Sequence, residues 1–294
     1  MVVTDTIPWG NVLRHHRRKL GTLLVLSVTA TLLERFADLA IPLLATPFAV
    51  VGGALAILLA FRNGAAYDRW WEGRKLWGGL VNVSRTLARQ AATYLPSADD
   101  RRRLVRMVIA FAHGLRASLR GTSPSDDFAR LLDPELAREL AGARGPVTRL
   151  GVAIGAEVGE LHRRGVLDGH AAARFDVSLT ELVACQGGIE RIHRTPMPTA
   201  YRFFTGRFIH AYVMALPFGL VEHLGALTIL VCMAVGFVFM VLPTNGELIE
   251  MPFGSGPNGL PLDAITRGIE VQLLESLGET ELPPDWAPKD GVLT

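Results

Sequence analysis

Two long runs of uncharged apolar residues constrain this chain more than any other feature of its sequence. Ile41–Phe61 and Leu224–Leu242 contain no charged residue. Each is long enough to cross the hydrocarbon core of a bilayer, about 30 Å, as an α-helix. A buried helical hairpin of a soluble protein is the alternative, but such a hairpin seldom contains two uncharged runs of this length. The two runs therefore predict a membrane protein.

Two further stretches predict additional spans, which brings the expected number to four. Leu20–Leu33 is apolar but short, so a span here must continue past Glu34 and Arg35. A signal peptide is the alternative for this stretch, but the small-residue cleavage site is missing. The other stretch, Tyr201–Val221, is apolar and aromatic but contains three basic residues, Arg202, Arg207 and His210.

Basic residues set the predicted orientation, because cytoplasmic flanks of membrane spans carry an excess of lysine and arginine. Such residues precede the first span, follow the second and open the third. We therefore expect both termini to be cytoplasmic. The predicted organisation is an N-terminal segment 1–19, spans one and two in 20–61, a cytoplasmic region 62–200, spans three and four in 201–242, and a cytoplasmic tail 243–294.

The remaining sequence predicts helices. Asp99 and Asp100 precede an apolar-periodic segment, as at a helix start, and Pro134 suits a first helical turn. The tail after Pro243 predicts turns and one helix, Ala264–Leu277. No segment of useful length alternates polar and apolar residues, so the expected fold class is all-α.

Common catalytic and cofactor signatures are missing from the sequence. It contains no G-x-x-x-x-G-K loop, no G-x-S-x-G elbow and no H-E-x-x-H helix. We therefore expect neither an enzyme nor a bound cofactor. The net charge of +2 gives no argument for binding nucleic acid. Cys185 and Cys232 lie in dissimilar contexts and suggest neither a disulfide nor a metal site.

The segment Ala60–Gly79, AFRNGAAYDRWWEGRKLWGG, changes abruptly from uncharged to charged and aromatic. An interfacial belt of aromatic and basic residues is one reading. The tight mixture of opposite charges favours a second reading, a structural network of ion pairs between helices. The residues predicted to form that network are Asp68, Arg69, Trp70, Trp71 and Glu72.

This segment resembles the hallmark of the bacterial bestrophins, in which Arg69-Trp70-Trp71 matches the family's R-W-W. Thr195–Pro198 with Tyr201, and Gly246–Asp263, match later family segments in order and spacing. The resemblance implies a homopentamer in the bacterial inner membrane, with the second span of each subunit, Ile41–Phe61, lining a central pore. Its partners would be copies of itself, membrane lipid and small inorganic ions.

The resemblance also implies two constrictions along this pore. The neck would consist of Gly53, Ile57 and Phe61, which share one helix face; the alternative is that they face lipid or other helices. The cytoplasmic aperture would lie at His170, which could change charge near neutral pH; the alternative is a solvated loop residue. Gly53 lacks the bulky side chain of the family pattern, so the outermost ring should be wide.

The expected function is passive conduction of chloride and other small monovalent anions. A sodium-type cation channel of the same fold remains an alternative. A transporter or a membrane-anchored assembly protein would be a different class, although the two clear spans contain no charge of the kind that usually marks a substrate site. Animal bestrophins bind calcium after Pro252-Phe253-Gly254, but the run of acidic residues is absent here, so we expect no metal site.

Overall fold

A computed structural model describes residues 9–37, 45–256, 258–288 and 291–294 of this chain, and these residues fold as helices without a β-strand. The all-helical prediction is therefore confirmed. The helices are α1 (Trp9–Ala37), α2 (Ala45–Tyr94), α3 (Ala98–Arg120), α4 (Ser125–Leu131), α5 (Pro134–Ala141), α6 (Pro146–Arg163), α7 (Gly169–Arg194), α8 (Thr199–Leu224), α9 (Leu227–Glu250) and α10 (Leu262–Ser276).

The described residues divide into two compact units. The apolar unit consists of α1, α2 up to Arg69, α8 and α9. The polar unit consists of α2 from Trp70 onward, α3 to α7 and α10. One long helix, α2, thus contributes residues to both units.

The apolar unit packs its helices around a small buried core that includes Leu23, Leu59, Val213 and Cys232. Close packing depends on Gly236 of α9, because a Cβ at this position would lie 2.2 Å from Leu23 Cδ2. Among the described residues, three helices are long and apolar enough to cross a membrane, namely α2, α8 and α9. The first predicted span, Leu20–Leu33, lies within α1, which is not among those three, so a fourth span stays a prediction.

Helix α9 is longer than the sequence predicted. We expected turns after Pro243, but α9 continues through this proline to Glu250, so that expectation is wrong. A proline removes one backbone N–H from a helix and usually ends or bends it. Side-chain donors serve nearby carbonyls here: Thr244 Oγ1 donates to the Met240 carbonyl at 3.1 Å, and Asn63 Nδ2 donates to the Leu242 carbonyl at 3.1 Å.

The polar unit is built around α3, which is buried along most of its length. Its start agrees with the prediction: Ser97 is the N-cap, its Oγ accepts from the Asp100 N–H, and acidic residues occupy the first turn. Such residues stabilise the positive end of a helix dipole. Phe111 of α3 and large side chains from neighbouring helices form the core, and the latter include Trp77, Phe175 and Leu182.

Candidate functional site

One face of α2 in the apolar unit is left open by the other helices. Ile57 and Phe61 are 60% and 71% exposed, although both are large and apolar. Outside its own helix, no described atom lies within 4 Å of the position that a Cβ on Gly53 would take. The opposite face of the same turns is buried and includes Leu55 and Leu59. The three predicted neck residues therefore share one uncovered face, which we call the open face.

Asp68 extends the open face toward the end of the apolar unit. It follows Phe61 by seven residues, which is close to two full helical turns. Its side chain is exposed, and it forms no ion pair with any part of the chain that the structure describes. The open face thus changes from apolar to acidic along its length.

The buried side of the same segment is fastened to the end of α9. Arg62 is only 2% exposed, and its Nη2 donates to Glu247 Oε1 at 3.0 Å. Arg69 Nε donates to the Glu250 carbonyl at 2.9 Å. Gly246 allows Asn63 to approach, since a Cβ there would lie 2.3 Å from Asn63 Oδ1. We call these contacts the α2–α9 clamp.

The residues of the predicted ion-pair network make separate contacts. Arg69 belongs to the clamp, whereas Trp70 Nε1 donates to the Asn258 carbonyl at 3.0 Å. Glu72 pairs with Arg191 of α7. The side chains of Asp68 and Trp71 are exposed. The structure therefore connects this motif to α7, α9 and the loop after α9, and a single network that joins the five residues stays a prediction.

His170 lies at the start of α7 in the polar unit. Its neighbour Asp168 is the N-cap, and Asp168 Oδ1 accepts a hydrogen bond from the Ala171 N–H at 2.7 Å. The imidazole is exposed, while Leu167 anchors the preceding turn in the core. The role of His170 at a cytoplasmic aperture stays a prediction.

A buried charged cluster in the polar unit was missed by sequence reasoning. His113 Nε2 lies 3.0 Å from Glu270 Oε2, and its Nδ1 lies 3.4 Å from Asp127 Oδ2. Arg130 pairs with both Glu270 and Asp127. His113 and Glu270 are 157 positions apart on different helices, so no spacing rule could have connected them.

The cluster changes the protonation of its members. Burial by itself would lower the pKa of His113, but the contacts with Asp127 and Glu270 outweigh burial and raise it. Burial by itself would raise the pKa of Glu270, but hydrogen bonds from His113 and Arg130 outweigh burial and lower it to about 2. The contacts in the cluster therefore favour the charged forms of both His113 and Glu270.

Within the described residues, no group of three or more histidine, cysteine or acidic side chains has a geometry that could hold a metal ion. Cys185 and Cys232 are both free thiols.

The fold and the open face define a class, namely an integral membrane protein built from long apolar helices and a helical polar unit. Residues 6–275 match the family described as Bacterial/Fungal Bestrophin protein. The voltage-dependent anion channel-forming protein of Ralstonia nicotianae is 36% identical, with all of both chains covered. The protein of the same description from Escherichia coli K12 is 35% identical over 87% of this chain and 84% of its own length.

The fold agrees with a solved structure as well. The crystal structure of a bacterial bestrophin homologue from Klebsiella pneumoniae matches with a TM-score of 0.84 and 36% sequence identity, covering 89% of this chain and 98% of that one. This chain belongs to the bacterial bestrophin family, as the R-W-W segment predicted.

Proposed function

We propose that this chain assembles as a homopentamer in the bacterial inner membrane and conducts chloride and other small monovalent anions. The names of the Ralstonia and Escherichia relatives, which describe voltage-dependent anion channel-forming proteins, support this proposal. In the assembly, α2 of each subunit lines the central path, and both termini lie in the cytoplasm.

The observation that carries the proposal is the open face of α2. When copies of α2 surround a common axis, the exposed apolar side chains at Ile57 and Phe61 face that axis. Five copies form two apolar rings one turn apart, and such constrictions regulate conduction by dewetting. Gly53 adds no side chain, so the outermost turn of the neck stays wide.

His170 forms the cytoplasmic aperture in this proposal. Its exposed position at the start of α7 supports this role, because the N-terminal end of a helix carries partial positive charge that attracts anions.

The test is single-channel recording from the purified protein in a planar bilayer. We expect Ile57→Ala combined with Phe61→Ala to raise the unitary conductance or the open fraction, because the rings that dewet are removed. Leu230→Ala combined with Val238→Ala is the matched control. These α9 side chains are also apolar and exposed, 70% and 49%, but are assigned no place in the pore.

Three outcomes would contradict the proposal. Unchanged currents in the folded neck variant would place Ile57 and Phe61 against lipid. A native mass that corresponds only to monomers would contradict an oligomeric channel. Silence of the wild type would favour a transporter or an assembly protein. The reversal potential under a chloride gradient gives the sign of selectivity and separates an anion channel from a cation channel.

A further inference from the structure

Three charged residues lie on α2 between positions 62 and 69, and they point in different directions. Arg62 and Arg69 both turn toward α9, where Arg62 bonds to Glu247 and Arg69 bonds to the Glu250 carbonyl. Asp68 faces the other way, on the open face, where its carboxylate is exposed. The two positive charges of this segment are therefore bound to α9, whereas its one negative charge lies on the open face.

The helical register places Asp68 beneath the neck. Seven residues separate it from Phe61, so the two lie on nearly the same line of the helix, about 10 Å apart along the axis. Between them this side of the helix carries Gly64 and Ala65, neither of which has a side chain larger than a methyl group. Any axis that Phe61 faces is an axis that Asp68 faces as well.

From this placement we propose that Asp68 sets ion selectivity: five copies form a ring of carboxylates on the inner side of the neck and lower anion permeability relative to cation permeability. The inference rests on the proposed channel function and names a determinant of its selectivity. The ring opposes anion conduction, so the ion preference of the proposed channel is a balance between this ring and the rest of the path.

The expected change in ion selectivity follows from the electrostatic effect of the Asp68 charge. One unit charge about 6 Å from a monovalent ion changes the local concentration of that ion about threefold in water, and salt screens it further. Neutralising one carboxylate in every subunit should therefore raise the chloride-to-sodium permeability ratio by about threefold.

The test compares Asp68→Asn with wild type in bilayer recordings under a sodium chloride gradient. Asparagine keeps the size of the side chain and removes the charge, so the reversal potential should move toward the chloride equilibrium potential. Glu222→Gln is the matched control, since Glu222 is exposed at the far end of α8 and is assigned no part in the path. We expect its permeability ratio to equal that of wild type.

An unchanged reversal potential in Asp68→Asn would overturn the inference. So would a loss of the oligomer in native mass spectrometry, because that result would assign Asp68 to a contact between copies. If wild type passes no current, the channel proposal fails separately. The position of Asp68 is then tested with the Asp68→Cys variant, made on a Cys185→Ser background, which is treated with a charged thiol reagent. An unreactive thiol in the assembled protein would contradict the proposed ring.

Discussion

The buried cluster of the polar unit gives a prediction whose size follows from the structure. Glu270 has no exposed surface and contacts His113, Arg130 and Arg267. Lowering its pKa from 4.5 to about 2 corresponds to about 3 kcal/mol of folding free energy at neutral pH, at about 1.4 kcal/mol per pH unit. Removing one partner from a buried ion pair generally costs a similar amount, about 3–5 kcal/mol. We therefore expect Glu270→Gln to destabilise the protein by about 3 kcal/mol.

Thermal unfolding of the whole protein in mild detergent, at pH 6, measures this effect. For a domain of this size, about 3 kcal/mol corresponds to a fall in Tm of about 6–12 °C. Glu160→Gln is the matched control because Glu160 pairs with Arg163 on the exposed surface of α6, with half of its side chain in solvent. Such surface pairs contribute about 0–1 kcal/mol, so the control should unfold close to wild type.

The stability that the buried cluster contributes changes with pH in a defined direction. The pKa of His113 is raised in the folded state, so its contribution to stability is complete below its unfolded pKa of about 6.5 and is lost as pH rises through the folded value. The pKa of Glu270 is lowered, so its contribution is complete above about 4.5 and is lost as pH falls through about 2. The difference in Tm between wild type and Glu270→Gln should therefore become smaller from pH 6 toward pH 9. A fall in Tm no larger than that of the control at pH 6, or a difference that widens toward pH 9, would refute this account.

Two further predictions concern the α2–α9 clamp. Glu247→Gln leaves the buried guanidinium of Arg62 without its carboxylate. Because Glu247 is about half exposed, solvent reduces the expected loss of folding free energy to about 1–3 kcal/mol. An unchanged Tm would contradict the ion pair. Gly246→Ala forces a Cβ against Asn63 and should destabilise the protein by about 1–3 kcal/mol. Gly53→Ala is its control, since the space around Gly53 is open and alanine favours helix, so only the Gly246 variant should unfold earlier.

Local features of the sequence predicted much of the fold. The starts of α3 and α5 agree with the signals at Asp99, Asp100 and Pro134, because first-turn acidic residues and proline act within a single turn. Hydropathy indicated the spans in α2 and α9, since the length and composition of an uncharged run are enough to predict one.

Contacts between distant segments were beyond sequence reasoning. The contact of α9 with Asn63, which donates to the Leu242 carbonyl from 179 positions away, depends on how α2 and α9 pack. The pairing of His113 with Glu270 likewise depends on how α3 and α10 pack. Hydropathy also gave no means of telling which charge of the R-N-G-A-A-Y-D-R segment is buried, because the direction of each side chain depends on the packing partner of α2.

The direction of those charges connects the clamp with the proposed pore. Helical residues advance by about 100° each, so Phe61 and Asp68 share a line while Arg62 and Arg69 share another, about 100° away. Fixing Arg62 and Arg69 against α9 therefore fixes the rotation of α2, and with it the direction of Phe61 and Asp68. A rotation of α2 that withdrew the apolar ring would have to break the buried Arg62–Glu247 pair at the same time. The proposed neck and the proposed acidic ring are thus held in one register by contacts about 100° around the helix from them.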